Sequence, residues 1–345
     1  MMTTTPADRE TAGEKDATGI TTMSAIVQHR YGGSETFEVA RLPRPAPGPG
    51  EVLVRVRAAA VDRGTWHLMT GLPLVARPAI GLRTPRTPIP GRDVAGTVVS
   101  VGAGVTGFAA GDEVVGTADG SLAEFAPVPV TRLAHAPASA TPEQAAAVPI
   151  SGLTALQAVR AARIADGDRV LITGASGGVG SYAVQIATAA GARVTAVASG
   201  AKEDFVRSLG ATEFIDYTAG PIDRSGTRFD AIIDIAGNLP VRRLRRMLTA
   251  RGTLVVVGSE TGGRWTAGVQ RQLYATLVSP FVRQRLTGLV SKETGQDMTE
   301  LVAMVDDARI RPAVDKAFSL DDAASAMDYL LSGQVRGKVA VSLAP

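Results

Sequence analysis

The residues whose spacing most clearly implies chemistry lie between Val170 and Gly180, in the run Val-Leu-Ile-Thr-Gly-Ala-Ser-Gly-Gly-Val-Gly. An apolar strand leads into a glycine cluster that opens a helix, and Gly174, Gly177 and Gly180 follow one another at intervals of three. Three demands meet in such a turn. It must be tight, its backbone must come close to a diphosphate, and the helix must pack near the strand. Each demand favours a residue without Cβ. The helix tip adds free N–H groups and a partial positive charge. Strand, glycines and helix together point to a dinucleotide site, whereas the glycines alone would also fit a purely structural turn.

The end of the next strand bears on which dinucleotide. Chains that bind NAD usually place an acid there to take the ribose hydroxyl. Here the stretch is Ala198-Ser-Gly-Ala-Lys202, with no carboxylate before Glu203. Ser199 can donate a hydrogen bond and Lys202 can supply charge to a 2′-phosphate, so the expected cofactor is NADPH. Taken alone, Lys202 would also fit an exposed lysine at a helix start.

These residues need elements to hold them. From Ser24 to His135 the chain reads as a compact, mostly antiparallel β unit. Glu51 to Arg57 alternates polar and apolar residues, a Pro/Gly turn cluster spans 43–50, and 61–90 is irregular and proline-rich. Near Thr141 the texture changes. Thr141-Pro-Glu-Gln is a helix start with an N-cap, proline at the first helical position and an early acid. Strands and helices then alternate through residue 258, as a parallel sheet covered by helices on both faces requires. Helices over 297–308 and 321–331 and a last strand from Gly337 complete the pattern.

Composition narrows the function classes. The chain has 345 residues, enough for two domains, with 45% hydrophobic and only 4% aromatic residues. It has no cysteine, which removes disulfides, thiolate metal sites and cysteine nucleophiles, and it has three histidines (His29, His67, His135). Net charge is +3. The run Arg242, Arg243, Arg245, Arg246 reads as a solvated helix face, so no nucleic-acid partner is expected. No apolar run reaches the roughly 18 residues of a membrane span. Residues 1–22 lack the apolar stretch of a signal peptide and are expected to form a disordered tail, with a cytoplasmic location as the default.

The motifs extend further. Gly91-Arg-Asp-Val-Ala-Gly96, Gly111-Asp-Glu-Val, Pro149-Ile-Ser-Gly-Leu-Thr-Ala-Leu-Gln157, the glycine turn, Ile215-Asp-Tyr217 and Arg336-Gly-Lys-Val339 occur in the order seen in medium-chain dehydrogenases/reductases. Over about residues 24–343 the chain resembles the zinc-free, quinone oxidoreductase-like branch, which includes relatives of the mitochondrial reticulon-4-interacting protein. The resemblance implies an α/β protein: a Rossmann doubly wound parallel sheet plus a GroES-like β-rich substrate domain. It implies a first part of the substrate domain over 23–145, the dinucleotide-binding domain over 146–290, and a segment over 291–345 that returns to the substrate domain. By position, Thr154 should lie near the nicotinamide. Ser176, Gly177, Gly178 and Val179 should hold the pyrophosphate. Ser199, Lys202 and Tyr217 should surround the 2′-phosphate and adenosine. Gly258 and Ser259 should pass the nicotinamide ribose, and Arg336 should close over the cofactor. The resemblance also suggests a homodimer.

Zinc-dependent relatives carry Gly-His-Glu where this chain has Gly91-Arg92-Asp93, and a cationic ligand position repels a metal. No metal site is therefore expected, and Arg92 should pair with a neighbouring acid. Asp62 and His67 fall where quinone reductases carry an asparagine and, often, a tyrosine. They are the candidate catalytic residues: Asp62 to orient the ribose or substrate, His67 to donate a proton from a pKa near 6.5. Asp62 pairing with Arg63 or Arg92, and His67 packing beside Trp66, are the structural alternatives. Without a Lewis acid, a quinone or enone is the natural small-molecule acceptor, because charge delocalises after hydride transfer. An alcohol or aldehyde reductase and a non-catalytic NADPH-binding sensor are the competing readings.

Overall fold

The computed structural model describes residues 21–224, 226–237, 239–258, 263–266 and 268–343. Residues 1–20 of the tail expected over 1–22, and Ser259, lie outside them. Thr22 belongs to no tail: it is buried and starts the strand Thr22–Val27, which pairs antiparallel with Glu38–Pro43.

Two larger sheets carry the molecule. The six-stranded sheet is entirely parallel. Its spatial order is Glu213–Asp216, Arg193–Ala198, Arg169–Thr173, Phe229–Asp234, Leu248–Val256, Arg285–Gly288. Numbered along the chain, that order is 3-2-1-4-5-6, the doubly wound Rossmann arrangement. A crevice opens at the strands' carboxyl ends where the order reverses. Thr173 and Asp234 end the two strands at that point, and Thr173 Oγ1 donates to Asp234 Oδ1 at 2.8 Å. The central strands are apolar on both faces, with Val170, Leu171, Ile172, Ile232 and Ile233 fully buried, as a sheet covered on both sides demands.

The second sheet has seven strands, with Glu51–Val61 and Asp93–Val101 at its centre. Its last two strands, Val314–Ser319 and Lys338–Ser342, come from the C-terminal segment. Lys338–Ser342 pairs antiparallel with Glu51–Val61. The C-terminal chain thus completes the β-rich sheet and lies beside the glycine turn, where the N–H of Gly337 donates to the carbonyl of Ser176 at 2.8 Å.

Local chemistry explains most boundaries. Thr141 caps the helix Pro142–Ala146, as its sequence suggested, and the structure adds a reciprocal bond from Gln144. The stretch read as irregular over 61–90 contains an eight-residue helix, Arg63–Thr70. Asp62 caps its first turn by accepting from the N–H of Thr65 at 2.9 Å, and Gly71 closes its last turn with a left-handed backbone. A carboxylate considered for chemistry, or for pairing with Arg63 or Arg92, therefore also starts a helix. The segment beyond 258 adds a helix, Val269–Val278, and the edge strand Arg285–Gly288, neither evident from periodicity in so mixed a stretch.

Candidate active site

The glycine turn hands the strand Arg169–Thr173 to the helix Gly178–Ala189. No side chain caps this helix, so its first N–H groups stay available at the crevice. A Cβ on Gly180 would stand 2.1 Å from the carbonyl oxygen of Gly174 and 2.7 Å from Cα of Ala175. Only a residue without a side chain lets turn and helix tip meet this closely. Ser176, Gly177, Gly178 and Val179 border that tip. Its bare amides and close backbone fit a diphosphate.

Ser199, Lys202, Tyr217 and Arg336 gather at the end of the second strand, but their bonds differ from expectation. Lys202 Nζ donates to the carbonyls of Gly333 at 2.8 Å and Val335 at 2.7 Å, while Arg336 Nη2 donates to the carbonyl of Ala201 at 3.0 Å. The two cations lace the 199–202 corner to the C-terminal segment. Tyr217 is half exposed beside it. The carboxylate of Asp216, given no role in the sequence reading, also faces this corner. It accepts from the Thr218 hydroxyl at 2.6 Å and the Thr218 N–H at 2.8 Å, which hold it below the usual carboxylate range.

Between the two sheets lies a cleft of about 240 Å³ whose lining includes Asp62, Leu68, Arg92, Leu153, Thr154 and Glu293. Thr154 hangs from the helix Pro149–Ala162, its hydroxyl donating to the carbonyl of Ile150 at 2.7 Å. Arg92 pairs with acids, as anticipated: its Nη2 lies 2.6 Å from Glu293 and 3.5 Å from Asp119. Glu293 escaped the sequence reading, since a lone acid 201 positions away offers no local signal.

His67 does not join this cleft. Its Nδ1 sits 2.8 Å from the carbonyl of Leu72 and its ring packs edge-on to Trp66 at 4.9 Å. A carbonyl only accepts, so Nδ1 carries the hydrogen, and in the neutral ring Nε2 carries none. Burial pushes the imidazole below its ordinary pKa. Gly258 lies two residues past the strand Leu248–Val256, and its carbonyl accepts from Arg271 Nη1 at 3.3 Å. Arg271 also pairs with the buried Asp234.

The largest omission of the sequence reading is Lys338. It is 1% exposed, with Nζ 2.7 Å from Asp93 and 3.5 Å from Asp62. Burial pushes the Asp93 carboxyl up to about 6 against the pull of Lys338. Burial also opposes the ammonium, yet the two carboxylates outweigh it and hold Lys338 above its ordinary value. Asp93 Oδ1 accepts from the N–H of Ile150 at 2.7 Å. One buried cation thus links the cleft carboxylate, the start of the helix bearing Thr154, and the strand next to the glycine turn. A signal did exist: a lysine inside Gly-Lys-Val-Ala-Val, a strand otherwise fit for burial.

Among the described residues no group of three His, Cys, Asp or Glu side chains could hold a metal ion. A larger, more open hollow of about 480 Å³ is lined by Arg228, Arg242, Arg245 and Arg246. It lies at the amino ends of the parallel strands, away from the crevice.

Residues 48–138 match the alcohol dehydrogenase GroES-like domain model and residues 209–341 the model described as zinc-binding dehydrogenase. The chain is 32% identical to a chloroplast envelope quinone oxidoreductase homolog of Arabidopsis thaliana, an alignment covering 92% of this chain and 98% of the relative. It is 31% identical to the mitochondrial NAD(P)H oxidoreductase RTN4IP1 of Mus musculus, over 94% of this chain and 90% of the relative. A mycobacterial protein solved as a complex with NADPH superimposes with a TM-score of 0.78 at 27% identity, over 93% of this chain and all of the other.

Proposed function

This chain belongs to the quinone oxidoreductase branch of the medium-chain dehydrogenases/reductases and is an NAD(P)H-type oxidoreductase, and from that premise we propose that it prefers NADPH, works without zinc and reduces a quinone or enone. The observation that carries this reading is the uncapped helix tip behind the glycine turn, opening beside an apolar cleft that has a few polar groups. NADPH, when bound, supplies hydride from its nicotinamide.

The chain's own residues would then do the following. Ser176, Gly177, Gly178 and Val179 offer main-chain donors to the pyrophosphate. Ser199, Lys202 and Arg336 meet the 2′-phosphate, and Tyr217 covers the adenosine. The preference for NADPH is supported by two cations at that corner and by Asp216 being engaged with Thr218. Thr154 and Gly258, with Ser259, flank the nicotinamide ribose. Asp62 orients ribose or substrate, its carboxylate held by the cap to Thr65 and by Lys338. The division into a substrate domain over 23–145 and 291–345 and a cofactor domain over 146–290 accompanies these roles.

Zinc-free chemistry is supported by the donor set. The chain has no cysteine, and a guanidinium bound to Glu293 stands at position 92. Such a set does not fit a catalytic zinc, which needs neutral or anionic ligands. Cytoplasmic location and a homodimer remain part of the proposal. No helix among the described residues is long and apolar enough to cross a membrane.

The test is direct. The protein is mixed with NADPH or NADH and with quinones, enones and aldehydes, and absorbance near 340 nm is followed. NADPH oxidation with quinones or enones is expected. Turnover confined to aldehydes would overturn the acceptor class, and tight NADPH binding with no turnover would make the chain a sensor.

A further inference from the structure

A hydride acceptor with a carbonyl group gathers negative charge on oxygen as it is reduced, so its pocket needs a donor aimed where that charge arrives. Three polar side chains of the cleft cannot serve. Asp62 and Glu293 are carboxylates, which accept and repel. Thr154 spends its hydroxyl proton on the carbonyl of Ile150. Arg92 is the cation of the lining, which also includes Ser291.

A guanidinium carries five N–H donors. Among the described residues only Nη2 finds partners, Glu293 and Asp119. Nε is buried and has no acceptor among the described residues. Nε is closed to solvent and out of reach of a ligand, so the donor left for a ligand oxygen is Nη1, which engages none of the described residues. The group is also held in place: Glu293 is itself fixed by the Thr117 hydroxyl at 2.7 Å, so the pair cannot swing freely. With Arg92 side chain 24% exposed and Leu68, Ile150 and Leu153 around it, the setting strengthens any hydrogen bond made there.

We propose that Arg92 is a substrate-binding catalytic residue that donates to the acceptor's carbonyl oxygen and stabilises the charge formed there. This rests on the reading that a quinone or enone is reduced in the cleft. In the step, hydride and its electron pair bond to the acceptor's β carbon. The C=C pair becomes the bond between the α and carbonyl carbons, and the carbonyl π pair ends on oxygen. NADPH is oxidised and the acceptor reduced, and water then supplies the proton. Arg92 keeps its protons throughout. Glu293 offsets the charge of Arg92 and holds its plane.

The experiment uses 4-nitrophenol, a ring-shaped oxyanion mimic whose ionised form absorbs near 400 nm, titrated with pH in the presence of the full chain without cofactor. The wild type should lower the probe's apparent pKa by about one unit. Arg92→Met should abolish that shift and lower kcat for an enone about 100-fold, Arg92→Lys should restore part of both, and Glu293→Gln should enlarge the shift. If Arg92→Met does not fold, the Lys and Gln variants decide. A wild type that leaves the probe unshifted, or a shift equal in all folded variants, overturns the assignment. If NADPH oxidation is absent while the Arg92-dependent shift persists, the oxyanion site stands and the reductase reading fails.

Discussion

Lys338 Nζ and Asp93 Oδ2 lie 2.7 Å apart with both side chains sealed from solvent, joining the last strand of the chain to the motif that flanks the cleft. Replacing Lys338 by Met leaves Asp93 as an uncompensated buried charge. The expected loss is about 3–5 kcal/mol of unfolding free energy, read from urea titration at neutral pH. Lys338→Met no less stable than wild type would mean that the carboxylate finds another partner.

The same pair predicts a pH signature. The Asp93 carboxyl is raised from 3.8 to about 6 in the fold. Between those values the folded chain holds a proton that the unfolded chain has released, so stability from this group falls as pH rises through that window. The stability difference between wild type and Asp93→Asn should decline from pH 4 to 6 and flatten above it. A flat difference across the window contradicts the shift.

Gly180→Ala tests the phosphate turn. The new Cβ would meet main-chain atoms at 2.1 and 2.7 Å, which no rotamer can relieve. Binding of NADPH, followed by fluorescence, should weaken at least about 100-fold, the order expected when helix tip and turn separate and charge-assisted bonds are lost.

The proposed preference for NADPH rests on the laced corner. Lys202→Glu should weaken NADPH by about 10- to 100-fold while leaving NADH within about threefold, the range for losing one charge-assisted bond. Equal weakening of both would show that Lys202 acts through its bonds to Gly333 and Val335.

His67→Asn separates packing from proton transfer. With Nδ1 committed to Leu72 and burial lowering the pKa, the fold favours the neutral ring. The folded value lies below the unfolded one near 6.5, so wild-type stability should fall as pH drops below that point, and the variant should lack this slope. Turnover should stay within about twofold at pH 7. A drop of about 100-fold or more, the scale of lost general acid catalysis, would restore His67 as the proton donor.

The chemistry of the glycine turn was legible because every requirement is local: strand, turn and helix tip lie within residues 169–189, and each step follows from neighbours in the chain. The parallel sheet was legible for a like reason, through alternating strands and helices, as was the capped start at Thr141. The cleft was not. Arg92 meets Glu293, Asp62 meets Lys338, and Lys202 meets Val335 across separations of 201, 276 and 133 residues. Such pairings depend on how two sheets dock, and no periodicity encodes them. Asp62 shows both sides: its residue type suggested chemistry, its helix cap was hidden in a stretch read as irregular, and its buried partner arrived only when the last strand folded back. Local sequence therefore determined the glycine turn and uncapped helix tip that we propose hold a diphosphate. The tertiary structure alone decided which charges line the cleft, because burial lets a cation and two carboxylates from distant strands set one another's state.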